Sequence, residues 1–323
     1  MRALAGVFLP ALVAAFVNTH AHNRPQVSTT VGIVAQSPCQ FTTFEEQTSF
    51  TKRFYSKAEY DRAKTNTSIE CLRIQYLSDG LKVVGFLVKP ADPAGKRYPV
   101  IIYNRGGVQD IGKIDAPNIL DFYELAANGF VVLASQYRGN DGGEGADEVG
   151  GADVADVVNL VSLASSLPYS DPKNVFFYGV SRGGMMTFRA LERGVSVNGA
   201  AVVGGIYDMQ GLMESAKQRM PGFANRVMKL IPDFSTRGAA TLADRSVMQW
   251  PEKVNVPLLM IHGADDEEVP VSQALMFAAK LSSLRKEYEL IVYAKEIHEA
   301  LNNRRDRDAR IIAWFRRYVA PPR

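Results

Sequence analysis

The stretch of sequence that decides the fold is Val175-Phe176-Phe177-Tyr178-Gly179-Val180-Ser181-Arg182-Gly183-Gly184. Its first residues form a short apolar run typical of a buried strand, and a helical pattern from Met185 to Leu191 follows. In this strand–turn–helix context a Gly-x-Ser-x-Gly sequence places its serine on a sharp turn, because side chains at the glycines would collide with the neighbouring strand or helix. We therefore predict that Ser181 is a nucleophile at a helix N-terminus, where free N–H groups favour developing negative charge.

The same alternation of strand and helix runs along most of the chain. Further short apolar runs predict strands at Pro99–Tyr103, Phe130–Ala134, Gly199–Ile206 and Pro257–Ile261. Helical patterns lie between them, as at Asp153–Ser166 and Val271–Leu281. This alternation predicts an α/β fold with a mostly parallel central sheet that is covered by helices on both faces.

The N-terminus has the layout of a secretory signal peptide, which we predict to span residues 1–21. A positive charge at Arg2 precedes the uncharged run Ala3–Val17, and Thr19-His20-Ala21 resembles a cleavage site. An uncleaved anchor is the alternative, but the run is shorter than the roughly 20 residues that a membrane span needs. We therefore expect a secreted or periplasmic protein without stable membrane association after cleavage of the signal.

The remaining chain is expected to contain an N-terminal extension and one main domain. The extension, residues 22–75, is polar up to about residue 50 and shows helical spacing at residues 45–65. A turn at Ser78-Asp79-Gly80 between two apolar runs predicts a hairpin at the start of the main domain, residues 76–323. Residues 207–250 interrupt the alternation, are rich in methionine, and are expected to form a small helical lid or pocket wall.

Composition excludes several classes of protein. Hydrophobic residues make up 46% of the chain and charged residues 22%, as in ordinary globular enzymes. The net charge of +3, with basic and acidic residues interleaved, argues against a nucleic-acid partner. Two cysteines, Cys39 and Cys71, cannot form a zinc site unaided, so we expect no metal and no cofactor. Spacing leaves open whether they form a disulfide or remain two thiols.

A serine nucleophile needs a base, and elimination among the four histidines identifies one candidate. His20 and His22 lie at the signal boundary, and His262 ends a buried strand, where a structural role is expected. His298 lies between the strand-like run Tyr288–Ala294 and the terminal helix. A histidine that comes last, after serine and acid, is the order of the α/β-hydrolase fold, so we predict this fold with His298 as the base.

The acid and the oxyanion hole are expected in two loops that follow strands. The run His262–Pro270 supplies four carboxylates, and spacing alone does not choose between Asp265 and Asp266. One oxyanion donor should be the N–H of Arg182, the residue after the nucleophile. The second is expected near Gly106, because paired glycines there let the backbone approach a ligand closely.

At these residues the sequence resembles the catalytic domain of the prolyl oligopeptidase family of serine peptidases, over roughly residues 75–320. The family's acid is the Asp of its His-Gly-x-x-Asp-x-x-Val-Pro pattern, so the resemblance implies a triad of Ser181, Asp266 and His298. The segments that carry the resemblance are Gln136–Gly139, Asp153–Val157, Gly179–Gly184 and Pro257–Pro270.

The sequence departs from the family in two respects. Arg105 stands where family peptidases often place an oxyanion-hole tyrosine, so either its side chain or the backbone is expected to donate there. The segment between the expected signal and the hydrolase domain is too short for the family's long N-terminal β-propeller. The propeller restricts substrates by size, so its absence weakens any inference of oligopeptide or proline specificity.

These observations predict a serine peptidase-like hydrolase that cleaves a small peptide substrate through an acyl-enzyme. A carboxylesterase, for instance one that removes acyl groups from carbohydrate, is the nearest alternative, because the same triad serves both and the fold does not choose the substrate. A catalytically inactive binding protein of the same fold is a more distant alternative. The oligomeric state is left open.

Overall fold

The computed structural model describes residues 31–92 and 94–321. The predicted signal peptide, residues 1–21, lies outside this range. Within it, no helix is both long enough and apolar enough to cross a membrane.

Nine strands in the described ranges form one sheet, whose order is β1-β2-β3-β5-β4-β6-β7-β8-β9. The strands are β1 (Ile33–Pro38), β2 (Ile69–Ser78), β3 (Leu81–Pro90), β4 (Tyr98–Asn104), β5 (Val131–Ser135), β6 (Ser170–Val180), β7 (Gly199–Val203), β8 (Leu258–Gly263) and β9 (Tyr288–Tyr293). The α-helices of the same ranges are α1 (Ser49–Phe54), α2 (Lys57–Lys64), α3 (Ala116–Ala127), α4 (Val154–Ser166), α5 (Arg182–Glu192), α6 (Met209–Arg219), α7 (Pro221–Leu230), α8 (Phe234–Asp244), α9 (Val271–Ser283) and α10 (Arg304–Arg317).

The sheet is parallel from β5 to β9 and antiparallel from β1 to β5. Strands β5, β7 and β8 are buried along their whole length, as expected where helices cover both faces of a parallel sheet. Helices α3 and α10 cover one face, where Phe315 lies against Phe176. Helices α4, α5 and α9 cover the other, where Phe188 lies against Phe277. The predicted α/β architecture is confirmed.

The predicted hairpin is present as β2 and β3, which pair along their full length around the turn at Asp79 and Gly80. The domain boundary expected between residues 75 and 76 falls inside β2, so the extension continues directly into the main sheet. Strand β1 lies in a segment for which the sequence predicted no regular structure. Most of its side chains are exposed, so its sequence shows no apolar periodicity that would indicate a strand. The strand forms because its backbone pairs with β2.

Residues 207–250 form helices α6, α7 and α8 between the neighbouring strands β7 and β8. Several of their apolar side chains line the cavity that Ser181 also lines, as expected for a pocket wall. That this segment moves as a lid stays a prediction.

Cys39 and Cys71 form a disulfide, which settles the question that their spacing left open. Their Cα atoms lie 5.4 Å apart, and the N–H of Cys39 donates to the carbonyl oxygen of Cys71 at 3.0 Å. Cys71 belongs to β2, so the bond ties the segment before α1 to the sheet.

Loss of this disulfide should destabilise the protein, because the bond closes a loop between residues that are 32 apart in sequence. We expect the double variant Cys39→Ser/Cys71→Ser to lower the free energy of unfolding by about 2–4 kcal/mol. Urea unfolding of the oxidised protein and of the variant measures the difference, and the reduced wild type should match the variant. Equal stability of all three would contradict the expectation.

Candidate active site

Ser181 lies at the junction of β6 and α5 with a strained backbone, at φ 55° and ψ −121°. A non-glycine residue at positive φ persists only where its surroundings hold it. Here the N–H of Ser181 donates to the carbonyl oxygen of Val203 at 2.9 Å, and its own carbonyl oxygen accepts from Gly184 at the same distance. The neighbouring strand and the first turn of α5 therefore fix the conformation predicted for a nucleophile.

The glycines around Ser181 allow α5 to cross the strand ends at very short range. A Cβ atom at Gly183 would lie 1.8 Å from the carbonyl oxygen of Asn104, at the end of β4. At Gly179 it would lie 2.4 Å from the carbonyl oxygen of Gly183. Neither position can hold a side chain unless the backbone shifts, which is the constraint that the sequence predicted.

The sheet order places Ser181 between two loops. Strand β6 lies between β4 and β7, so the loop after β4 and the segment after β7 flank the serine from opposite sides. Gly106, after β4, is close enough that a Cβ there would lie 3.1 Å from the Cβ of Ser181. Gly204, after β7, lies close to His298: a Cβ at Gly204 would be 3.0 Å from the Cε1 of the His298 ring.

Asp266 and His298 are hydrogen-bonded to each other. The Nδ1 of His298 donates to the Oδ2 of Asp266 at 2.7 Å. The Oδ1 of Asp266 accepts from the backbone N–H groups of Glu268 at 2.9 Å and Val269 at 2.8 Å. Asp265, the alternative that spacing left open, is exposed. The structure thus brings to His298 the acid that the family resemblance selected.

His262 contacts the same carboxylate, which the sequence did not predict. Its buried Nε2 donates to the carbonyl oxygen of Val269 at 2.8 Å and lies 3.2 Å from the Oδ2 of Asp266. The four-residue spacing between His262 and Asp266, from the end of β8 into the following loop, is the one signal that could have indicated this contact.

The Asp266–His298 pair shifts the pKa of both groups. Burial by itself would raise the pKa of Asp266, but hydrogen bonds from His262 and His298 reverse this and hold it well below its usual range. Burial by itself would lower the pKa of His298, but the hydrogen bond and charge of Asp266 outweigh it and raise this pKa to about 9. The pair therefore favours the protonated, positively charged imidazole.

The loop that carries His298 is held by Glu296, a buried carboxylate that the sequence analysis did not single out. Glu296 accepts hydrogen bonds from the side chains of Asn302 and Asn303, both at 2.7 Å, and from the N–H of Asn303. These bonds close the loop on itself, so the backbone can hold Glu299 at a φ of 69° next to the histidine.

The other ring nitrogen of His298 is free to act on a bound molecule. Its Nε2 is buried and makes no hydrogen bond within the described part of the chain, although the Oε2 of Glu268 lies 3.8 Å away. Ser181 and His298 both line a cavity of about 730 Å³. The Nε2 of His298 can therefore accept a proton from a group bound in the cavity, or donate one to it.

Two backbone N–H groups beside Ser181 can serve an oxyanion. Arg182 is the first residue of α5, a position whose N–H has no acceptor within its own helix. The carbonyl oxygen of Arg105 accepts from the hydroxyl of buried Tyr137 at 3.1 Å. The peptide bond between Arg105 and Gly106 is trans, so its N–H points away from its carbonyl oxygen. The N–H of Gly106 therefore points away from Tyr137. Gly106 also lines the cavity.

Of the two alternatives that the sequence left open at Arg105, the side chain or the backbone, the hydrogen bonds of the side chain favour the backbone. Arg105 is 1% exposed, and its guanidinium donates to carbonyl oxygens at Gln136 (3.1 Å), Gln109 (2.9 Å) and Ile111 (3.2 Å). Every hydrogen bond that the guanidinium donates goes to a backbone carbonyl oxygen, so Arg105 stabilises the conformation of the loop after β4.

The side chain of Arg182 forms a buried ion network. It donates to both carboxylate oxygens of Asp147, at 2.6 and 3.0 Å, and to Asp153 at 2.5 Å. It also donates to the carbonyl oxygen of Gly107 at 3.0 Å. Burial would raise the pKa of Asp147, but the charge of Arg182 lowers it well below its usual range. This network links the start of α5 to the loop after β4.

Both apolar residues and carboxylates line the cavity. Apolar residues of α6 and α7, such as Leu212 and Phe223, form one wall. Carboxylates that include Asp115 and Glu299 line the cavity as well, with Phe50 and Ile111 in the same lining. Burial and the charge of Glu299 raise the pKa of Asp115 to about 6, so the charge of the lining changes just below neutral pH.

The titration of His298 tests this geometry directly. We expect NMR to give the ring a pKa near 9, and Asp266→Asn to bring it to or below the ordinary value of about 6.5, because burial then dominates. Glu268→Gln, which removes a more distant charge, should lower it less. A pKa unchanged in Asp266→Asn would contradict the assigned hydrogen bond.

Comparison with known proteins identifies the family. Residues 118–321 match the model of the prolyl oligopeptidase family. The uncharacterised peptidase YtmA of Bacillus subtilis (strain 168) is 31% identical over 252 residues, which are 76% of this chain and 90% of YtmA. Several other curated relatives, among them acylamino-acid-releasing enzymes, are longer, and the chain spans 25% to 37% of their length.

Solved structures share the fold at lower identity. An acylaminoacyl peptidase of Pyrococcus horikoshii superposes with a TM-score of 0.66 at 22% identity, over 80% of this chain and 43% of that one. An acetyl xylan esterase of Paenibacillus sp. R4 gives a TM-score of 0.62 at 17% identity, over 82% of this chain and 95% of that one. The family match, the YtmA relationship and the α/β-hydrolase architecture agree, and the chain belongs to the prolyl oligopeptidase family of serine peptidases.

Proposed function

We propose that this chain hydrolyses amide bonds of small peptides through an acyl-enzyme, with Ser181, Asp266 and His298 as its catalytic triad. The observation that carries the proposal is the arrangement at the cavity. A serine on a strained strand–helix turn lines the same space as a histidine that is hydrogen-bonded to a buried aspartate and whose Nε2 makes no hydrogen bond in the described part of the chain. Nucleophile, base and orienting acid are the three parts that acyl transfer needs.

In the proposed reaction the Nε2 of His298 takes the proton of the Ser181 hydroxyl as the oxygen attacks the scissile carbonyl carbon. The N–H groups of Arg182 and Gly106 stabilise the negative charge that develops on the carbonyl oxygen. Asp266 stabilises the imidazolium, which then gives its proton to the leaving amine. Water, activated by the same histidine, hydrolyses the acyl-enzyme and restores the serine.

A carboxylesterase is the second candidate. The same triad would cleave an ester, and the acetyl xylan esterase that resembles this chain shows that the fold also serves ester hydrolysis. Ester and amide substrates differ in how strongly the leaving group needs the proton that His298 returns.

We also propose that the protein is exported to a secreted or periplasmic location. Residues 1–21 have the layout of a signal peptide, and the Cys39–Cys71 disulfide is of a kind that persists mainly in oxidising compartments. Fractionation of expressing cells, with mass spectrometry of the mature N-terminus, tests this; an unprocessed cytoplasmic protein would refute it.

A paired substrate panel tests the proposed chemistry. We expect cleavage of peptide p-nitroanilides as well as short-chain p-nitrophenyl esters, and a loss in kcat/KM on the order of 10⁴ or more in Ser181→Ala. Asp266→Asn should also be strongly impaired, whereas Asp265→Asn, an exposed neighbour, should stay near wild type. Ester turnover without anilide cleavage would favour the esterase, and an active Ser181→Ala would refute the triad.

The pH profile should report the elevated pKa of the base. His298 must be neutral to accept a proton, and its pKa is raised to about 9, so kcat/KM should rise with pH to a midpoint near 9. Glu268→Gln should shift the midpoint to lower pH, because the Glu268 charge favours the imidazolium. A flat profile between about pH 7 and 10 would argue against His298 as the base.

A further inference from the structure

The N-terminal extension contributes part of the cavity wall. Thr48, Phe50 and Tyr55, at the two ends and in the first turn of α1, all line the cavity. Phe50 is 51% exposed although it is a large aromatic residue, and Ile111, in the loop after β4, is 48% exposed and lines the same cavity. Two apolar side chains from distant parts of the sequence are thus available to a molecule in the cavity.

Helix α1 is fixed in place on this side. The hydroxyl of Tyr55 donates to the Oδ1 of Asp121 in α3 at 2.9 Å, and the guanidinium of Arg304 lies 4.3 Å from the Tyr55 ring centre. Arg304 also donates to Glu59 in α2 at 2.9 Å. The Cys39–Cys71 disulfide fixes the chain before α1, and these contacts fix it after α1. Phe50 is therefore exposed on a segment that is anchored on both sides.

Phe50 and the α6–α7 wall line the cavity from different elements of the fold. Helix α1 is joined through Tyr55 to α3, which follows the loop after β4, whereas α6 and α7 follow β7. Strands β4 and β7 flank β6, which ends at Ser181. A substrate whose carbonyl carbon meets Ser181 would therefore direct one substituent towards α6 and α7 and the other towards α1.

We propose that Phe50, together with Ile111, forms an apolar subsite for the substrate group on the side of the scissile bond remote from α6 and α7. The preferred substrates are then small molecules with an apolar group on each side of the bond. This inference rests on the proposed hydrolase function. It makes Phe50 a specificity-determining residue, because apolar groups that meet there are removed from water on binding.

Two substrate series separate the two sides of the cavity. In one the acyl group grows from acetyl to octanoyl with a constant p-nitrophenyl leaving group; in the other the acyl group stays acetyl and the leaving alcohol grows from methyl to naphthylmethyl. Phe50→Ala should lower kcat/KM about tenfold for the large members of one of the two series and not of the other, and the change should appear as a higher KM. The reason is that the substrate can no longer cover the exposed half of the Phe50 side chain. The smallest substrate should change less than about twofold.

Phe223→Ala, on the α7 wall, should impair the other series, and this complementary pattern is the central expectation. Leu275→Ala is the matched control, since Leu275 is also 51% exposed but lies on α9 outside the cavity lining. Phe50→Leu should restore part of the lost affinity. Ile111→Ala, which leaves α1 intact, should affect the same series as Phe50→Ala and checks against a folding defect.

The outcomes separate this inference from the proposed function. An inactive Ser181→Ala together with a Phe50→Ala variant that resembles Leu275→Ala would overturn the subsite and leave the hydrolase intact. The subsite would also be refuted by a Phe50→Ala effect that is equal for all substrate sizes, or that falls on the same series as Phe223→Ala. Full activity of Ser181→Ala would refute the function itself.

Discussion

The rest of the site depends on the close crossing of α5 over the ends of β4 and β6. Gly183 rests almost directly on the carbonyl oxygen of Asn104, at a distance that no side chain permits. This contact starts α5 at the end of β6, where Ser181 takes a positive φ and Arg182, the first residue of the helix, lines the cavity. The strain at Ser181 is offset by backbone hydrogen bonds to Val203 and Gly184, so the turn can persist in the folded chain.

The electrostatics of the site follow from one buried carboxylate. Asp266 loses its hydration on burial but gains four polar partners, which are two backbone N–H groups and the rings of His262 and His298. A carboxylate stabilised in this way stays ionised and raises the proton affinity of His298. In the proposed reaction the same effect would stabilise the imidazolium that forms during acyl transfer.

The sequence predicted the parts of the molecule that leave a local pattern. Apolar strand runs and the Gly-x-Ser-x-Gly turn led to the observed fold, and two of the predicted site residues, Ser181 and His298, line one cavity in it. Other features depend on contacts between distant segments. Strand β1 is held mainly by backbone pairing to β2, and Glu296 acts through a loop that has no sequence signature. Arg105 matched a family position, but its guanidinium satisfies carbonyl groups that only the folded loop brings together.

The buried ion network of Arg182 lies directly beside the turn at Ser181, and its position there needs an explanation. Removing three charged groups from water costs free energy that their attraction often fails to recover, so stability alone does not account for such a cluster. Arg182 carries the N–H beside Ser181, while its side chain binds Asp147, Asp153 and the carbonyl oxygen of Gly107. In the proposed reaction the loop after β4 supplies the second N–H, and the hydrogen bond from Arg182 to Gly107 ties this loop to the residue that carries the first. Hydrogen bonds to an oxyanion weaken steeply with misalignment, so in the proposed reaction the network would act by holding the two N–H groups in position.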